Sequence, residues 1–354
     1  MRKPLTLVVP GLLWPAPLTP RPTQALELPA LAWLLGRGRR TITPPCPFER
    51  ELARLFDIHG DEISLAALRR RGEAHASASA AHWLCADPVH LSIASGNLLL
   101  SEFAPDEIDA AEATALVAAL NELYGDIGEF SAPAPTRWYS RLTEPPAAAF
   151  STLHDAAGRP MQHFLPTGEE ARRWQRLLNE IQVTLHNHPV NAAREAAGRR
   201  IVNSLWFWGS EAYGAPPHDF VAGANKHPEH PRPPYAMVQA TDPVARGFAR
   251  LANIEPAAPQ LDAALNGDVL AVLDALAAPA RHVDLDAWRA ALAALEKDWF
   301  APIACALQSG RLQRLQLFAP GDRCGFKLAL GGFARHAFWR KPLALDDLPL
   351  PVPR

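Results

Sequence analysis

The stretch LHNHPVNAAREAAGRRIVNSLWFWG, from Leu185 to Gly209, decides how the chain is read. Asn191 suits the cap of a short helix over AAREAAG, and Gly198 suits its stop. The IVNSLWFWG that follows is an apolar run closed by Gly209 and reads as a buried strand. A helix followed by a buried strand points to an α/β domain with a mostly parallel sheet flanked by helices. Such a strand would deliver Asn203 and the loop behind Trp208 to the carboxyl edge of that sheet, where open α/β folds bind ligands.

The polar residues of this stretch have two readings. Arg194 presents a guanidinium fork that matches a carboxylate or a phosphate, and Asn203 would orient a ligand through neutral donors and acceptors. With His188, Asn191 and Trp208 they form a candidate substrate-binding set. The same residues also serve as helix punctuation, His188 standing before a proline and Asn191 capping a helix. Trp206 and Trp208 are residue types of a core.

Working outward, Leu5–Val9 reads as a buried strand that ends at Pro10-Gly11. Helical spacing follows in LPALAWLLGRGRR, stopped by Gly36 and Gly38, and in PFERELARLFDI behind Pro47. HWLCADPVHLSIASGNLLLSEF, from His82, predicts a β-hairpin, and EIDAAEATALVAALNELYG an amphipathic helix. SAPAPTRWYSRLTEPP reads as a loop, and the Asp-Pro pairs at Asp87 and Asp242 as starts of turns or helices. A helix is expected from about Glu169 to Leu185 and another from Leu285 to Leu307, with Trp288, Leu292, Leu295 and Trp299 on one stripe. VLAVLDAL fits strand or helix, whereas RLQRLQLFA and FKLAL predict strands. The expected layout is an α/β core over 1–81 and 196–354 with an inserted α+β domain over 82–195.

Composition narrows the function classes. A formal net charge of −2 supplies no field for nucleic acid, and no apolar run reaches the roughly 18 residues of a membrane span. Neither nucleic acid nor membrane is therefore expected as a partner; Arg194 and Asn203 point to a small anionic metabolite, and a protein partner is left open. Cys46, Cys85, Cys305 and Cys324 are widely spaced, which fits a reducing, cytoplasmic setting. The chain carries no GxGxxG, P-loop, HExxH or GxSxG pattern. One loop, PPHDFVAGANKHPEHPRPP, offers His218, Asp219, His227, Glu229 and His230 as metal-ligand types, although its prolines do not hold them on one face.

HPVNAAREAAGRRIVNSLWFWG resembles the archaeal-type cofactor-independent phosphoglycerate mutases. YAMVQATDPVARGFARLANI and LDAWRAALAALEKDWFAPI are similar to later segments of that family, so the likeness runs from about Leu177 to Ile303. A bacterial branch of such sequences is labelled partly as mutases and partly as regulatory proteins. The resemblance implies an alkaline-phosphatase-like core with an inserted domain, two divalent metals, and a Ser or Thr nucleophile that accepts the phosphoryl group.

Compared position by position, the resemblance implies several losses. The family's first strand ends in Asp-Gly, with the Asp on metal, but here it ends in Pro10-Gly11. CPFER lacks the nucleophile, and Thr43 and Cys46 are the nearest substitutes. GDRCG keeps Asp322 but sets Arg323 where a metal-binding His is expected; Arg323 could instead hold a phosphate directly. Asp274, His282 and Asp284 fall near a further acid-and-His motif without its spacing.

Three readings follow. The first is a mutase-like protein with a degenerate two-metal site that binds a small phosphorylated or carboxylated ligand in a regulatory role. The second is an active metal-dependent mutase or phosphatase whose manganese or zinc site has been rebuilt from His218, His227, His230, His282, Asp284 and Asp322. The third is an interaction module that docks a protein through SAPAPTRWYSRL. No catalytic residue is assigned, and no cofactor is required by the first or third reading.

Overall fold

The structure is a computed structural model and describes residues 4–15, 18–58, 64–73, 82–94, 96–210, 234–321 and 323–349. Its strands are β1 (Leu5–Val8), β2 (Arg39–Thr43), β3 (His82–Ala94), β4 (Asn97–Ser101), β5 (Gly128–Ala134), β6 (Arg137–Leu142), β7 (Ser204–Trp208), β8 (Met237–Gln239), β9 (Val269–Val272), β10 (Leu315–Ala319) and β11 (Gly325–Leu330). The chain divides into two compact units. One comprises Met1–His59, Arg71–Glu73 and Pro231–Arg354, and the other Gly60–Arg70 and Ala74–His230.

The first unit is built on a sheet of order β2-β11-β10-β1-β9-β8. β10, β1, β9 and β8 run parallel, whereas β11 runs antiparallel to both β10 and β2. β1 and β9 are buried at every position, as strands covered on both faces must be. Leu5, Leu7, Val269, Ala271, Leu315 and Leu317 pack on one side against Leu31, Leu34, Trp288, Leu292 and Ile303 of the helices. The first half of VLAVLDAL, Val269–Val272, is therefore a strand, and its neighbours in the sheet settle what its short apolar run left open.

The helix expected over Leu285–Leu307 comes in three pieces. An α-helix covers Leu285–Leu295, a π turn Glu296–Phe300, and a second α-helix Ala301–Ser309. Pro302 gives the reason, since its missing N–H and its ring both disturb the turn four residues before it. The π turn places the buried Glu296 against the helix Pro29–Arg37, whose own Leu28 provides no cap. Its carboxylate accepts from Ala30 N at 2.6 Å and Leu31 N at 3.0 Å. Glu296 thus caps a helix about 266 residues away in sequence, next to the positive end of that helix's dipole.

The second unit is an antiparallel sheet of order β4-β3-β6-β5, with β7 paired to β3. One face is covered by the helices Ala110–Tyr124 and Ala171–His186, through Leu116, Leu120, Trp174, Leu177 and Ile181. Three expectations are corrected here. The segment expected as a loop forms the β5–β6 hairpin, interrupted by a register shift between Ser131 and Ala134 where Pro133 cannot donate. Asp87-Pro88 lies inside β3 and starts no turn; the β6 ladder ends at Cys85 and the β4 ladder begins at His90, so Pro88 sits between them. The strand of IVNSLWFWG pairs antiparallel with β3, Cys85 opposite Trp208 and Val89 opposite Ser204, so it does not join the parallel core sheet that 196–354 was expected to build.

Removing the distant cap tests this account of the core. Glu296→Ala should lower folding stability by about 2–3 kcal/mol in urea denaturation, because two buried backbone donors lose a charged acceptor. Glu296→Gln, which keeps one acceptor oxygen, should lose less.

Candidate functional site

In the first unit the parallel strands all end on one edge, the edge where α/β folds bind ligands. β1 runs into Pro10-Gly11, β8 into Thr241-Asp242, β9 into Asp274, and β10 into Pro320-Gly321. Gly11 has φ +77°, and a Cβ there would lie 2.5 Å from Leu276 O. Its carbonyl accepts from the Trp288 indole at 2.8 Å. The Pro10-Gly11 turn is therefore clamped, and it presents a proline ring at the end of the central strand.

Asp274 and Thr241 meet beside it. The Thr241 hydroxyl lies 3.1 Å from Asp274 Oδ1 and 3.0 Å from Oδ2. Asp242 caps the helix Pro243–Leu251 by accepting from Ala245 N at 2.7 Å, as its Asp-Pro pair predicts. Arg323 is exposed in the turn after β10 and donates from Nη1 to Pro15 O at 2.9 Å. The edge thus combines a hydroxyl with a carboxylate neighbour and, on a separate turn, a guanidinium.

The residues expected to hold metal are placed apart in role. Asp284 caps the helix Leu285–Leu295 by accepting from Ala287 N, and His282 is exposed at the end of the helix Ala277–Arg281. Asp322, with His218, Asp219, His227, Glu229 and His230, lies outside the described residues. Among the described residues no group of three or more His, Cys, Asp or Glu is arranged to hold a metal ion.

Cys46, the substitute considered for a nucleophile, is buried just before the helix Phe48–Leu55. Its amide donates to Gly321 O, and Arg54 Nη1 lies 3.3 Å from its sulfur. Burial nevertheless pushes its thiol pKa up, against the lowering pull of Arg54. A thiol held protonated is a poor nucleophile.

The five expected substrate-binding residues of Leu185–Gly209 all lie in the second unit, and each has a structural partner there. His188, rather than Asn191, is the helix cap, its Nδ1 accepting from Val190 N. Asn191 is buried, donates to Leu185 O and Val202 O at 2.7 Å each, and accepts from Val202 N at 2.9 Å. Arg194, 1% exposed, donates to Arg200 O, Glu107 O and Glu112 Oε2. Asn203 binds both backbone groups of Leu91, at 2.7 and 2.9 Å. Trp208 donates its indole hydrogen to Asp87 at 2.8 Å. Sequence reasoning singled out these residues but not their partners, half of which, Glu107, Glu112, Leu91 and Asp87, are remote in sequence. It also passed over Thr241, whose only local signal is its place between a strand end and an Asp-Pro cap.

The first unit, a mostly parallel sheet packed against helices, has an α/β architecture. Sequence comparison is more specific. The chain is 27% identical over 273 residues to a probable 2,3-bisphosphoglycerate-independent phosphoglycerate mutase of Geobacter sulfurreducens, a match covering 73% of this chain and 66% of that protein. It is 33% identical over 118 residues to 2,3-bisphosphoglycerate-independent phosphoglycerate mutase 2 of Methanothermobacter thermautotrophicus, covering 30% and 28% of the two chains. Both relatives carry the name of cofactor-independent phosphoglycerate mutases, and the chain is similar to them at this level of identity. The matches span just under two thirds of the first relative and about a quarter of the second. No family model matches the chain. Among solved structures, the PH0037 protein from Pyrococcus horikoshii shares the fold, with a TM-score of 0.51 and 11% identity over 98% of this chain and 92% of that one.

Two measurements check these assignments. Thiol labelling of the native protein near neutral pH should modify the exposed Cys305 well before Cys46, with Cys46 labelling accelerating only as pH rises toward its elevated pKa. Arg194→Ala should cost about 3–5 kcal/mol of folding stability, the range for breaking a buried ion pair.

Proposed function

We propose that the chain is a phosphoglycerate-mutase-like protein that binds a small phosphorylated or carboxylated metabolite at the carboxyl edge of its core sheet, without two-metal phosphoryl transfer. Its role is then sensing or regulation, in the cytoplasm. The observation that carries this reading is the Pro10-Gly11 turn at the end of β1, clamped by Trp288 and Leu276. The family resemblance puts a metal-binding Asp there, and a proline ring has no donor atom to offer. Asp284 is engaged as a helix cap, which also supports it. Arg323 would meet the anionic group of the ligand, since guanidinium binds phosphate and carboxylate through paired hydrogen bonds.

A second reading is favoured by the contact between Thr241 and Asp274. A hydroxyl whose proton can pass to an adjacent carboxylate is the element a phosphoryl acceptor requires. On this reading the protein is an active, metal-dependent mutase or phosphatase. Its metal ligands would have to come in part from Asp322 and the His218–His230 segment.

A coupled assay for interconversion of 3-phosphoglycerate and 2-phosphoglycerate separates the two, run with manganese and with chelator on protein free of host mutase. The first reading expects no turnover, together with a metal-independent rise in melting temperature on adding 3-phosphoglycerate that Arg323→Ala abolishes. Chelator-sensitive turnover that Thr241→Val removes would establish the second reading instead.

A further inference from the structure

After β11 the chain makes a short 3-10 turn, Gly332–His336, and continues as AFWRKP. Three large apolar side chains stand out of the surface here: Phe333 is 89% exposed, Phe338 82% and Trp339 68%. Phe338 and Trp339 meet edge to face at 5.3 Å, so they form one aromatic projection. Single exposed apolar residues are ordinary, but three aromatic ones within seven positions mark an interaction site.

Hydrogen bonds fix this segment against the end of the helix Pro29–Arg37, two residues before β2 begins. Arg37 Nη1 donates to Ala334 O at 3.3 Å and Arg340 Nη1 to Arg37 O at 3.0 Å. β2 is the edge strand of its sheet, and its first residues Arg39 and Arg40 are exposed, as are Arg340 and Lys341. The nearest acids along the chain are engaged elsewhere, Asp346 by Thr23 and Asp347 by Arg21. Exposed aromatics bordered by arginine and lysine form a basic, amphipathic surface on a chain whose net charge is −2.

We infer that this surface docks the first unit reversibly onto an anionic lipid bilayer. Phe338 and Trp339 would enter the headgroup region while the neighbouring cations meet the lipid phosphates. The side chains project from the surface, as suits a planar interface. A second copy of this chain is disfavoured, because a two-fold contact would set the same cations against one another. No helix among the described residues is long and apolar enough to cross a membrane, so the attachment is to the surface. This inference does not rest on the ligand proposed above.

Cosedimentation of the full chain with vesicles tests it, using phosphatidylcholine alone or mixed with phosphatidylglycerol. Binding is expected only with the anionic lipid, weakened about tenfold or more by high salt. Phe338→Ala with Trp339→Ala, and separately Arg340→Glu with Lys341→Glu, should each produce a similar loss while leaving the far-UV circular dichroism unchanged. The salt arm uses the unaltered chain and so keeps the test decisive if a variant folds poorly. Failure to sediment with anionic vesicles, or binding that neither variant changes, would overturn the inference. So would a dimer in solution that the aromatic variant dissociates, or binding to polyglutamate without binding to vesicles.

Discussion

A single buried carboxylate, that of Asp87, holds the second unit together. It accepts two hydrogen bonds from Arg69, at 2.6 and 2.9 Å, one from Trp138 N at 3.1 Å, and one from the Trp208 indole at 2.8 Å. Arg69 in turn donates to Tyr139 Oη and Trp138 O, and its guanidinium lies over the Tyr139 and Trp208 rings. Burying two charges costs several kcal/mol per ion, and only near-complete satisfaction of their hydrogen bonds offsets this. The geometry here meets that condition, so what the pair contributes is specificity. β3, β6 and β7 can meet in only one register if all these donors are to reach one carboxylate.

This interaction explains why the sequence reading placed β7 in the wrong sheet. Local pattern identified the strand correctly, since SLWFW is buried at every position. Its partner strand is set by contacts such as Trp208 to Asp87, 121 positions apart. Asp87-Pro88 reads as the start of a turn or a helix because such pairs usually make one, and nothing near it in sequence reveals the buried arginine. The same limit applies to the β5–β6 hairpin, whose prolines imitate a loop, and to the helix broken at Pro302. In contrast, the core strand Leu5–Val8, the hairpin from His82 and the capped helix Ala110–Tyr124 were legible, because a short-range pattern alone specifies each.

The candidate site divides in the same way. The residue types at Pro10 and Arg323 can be read directly, since a side chain that cannot ligate a cation is evident without coordinates. Whether a polar residue that remains is chemical or structural could not be read, because that depends on its partners. Asn191 and Arg194 illustrate this: both are polar and both belong to the family-like stretch. Both also answer backbone groups that would otherwise be buried without partners.

Those partners bear on what a sequence likeness can report. The satisfied polar groups of the second unit and the apolar faces of the core sheet stabilise the protein. The strand ends contribute little to either. Acidic residues gathered at one edge repel one another unless a cation neutralises them, so they are a stability cost when none is bound. Pro10, in a turn clamped by Trp288, adds no charge to that edge and stiffens the turn. Sequence similarity to an enzyme family therefore reports first on the packing that both share. Chemistry has to be argued separately, from the few residues at the carboxyl edge.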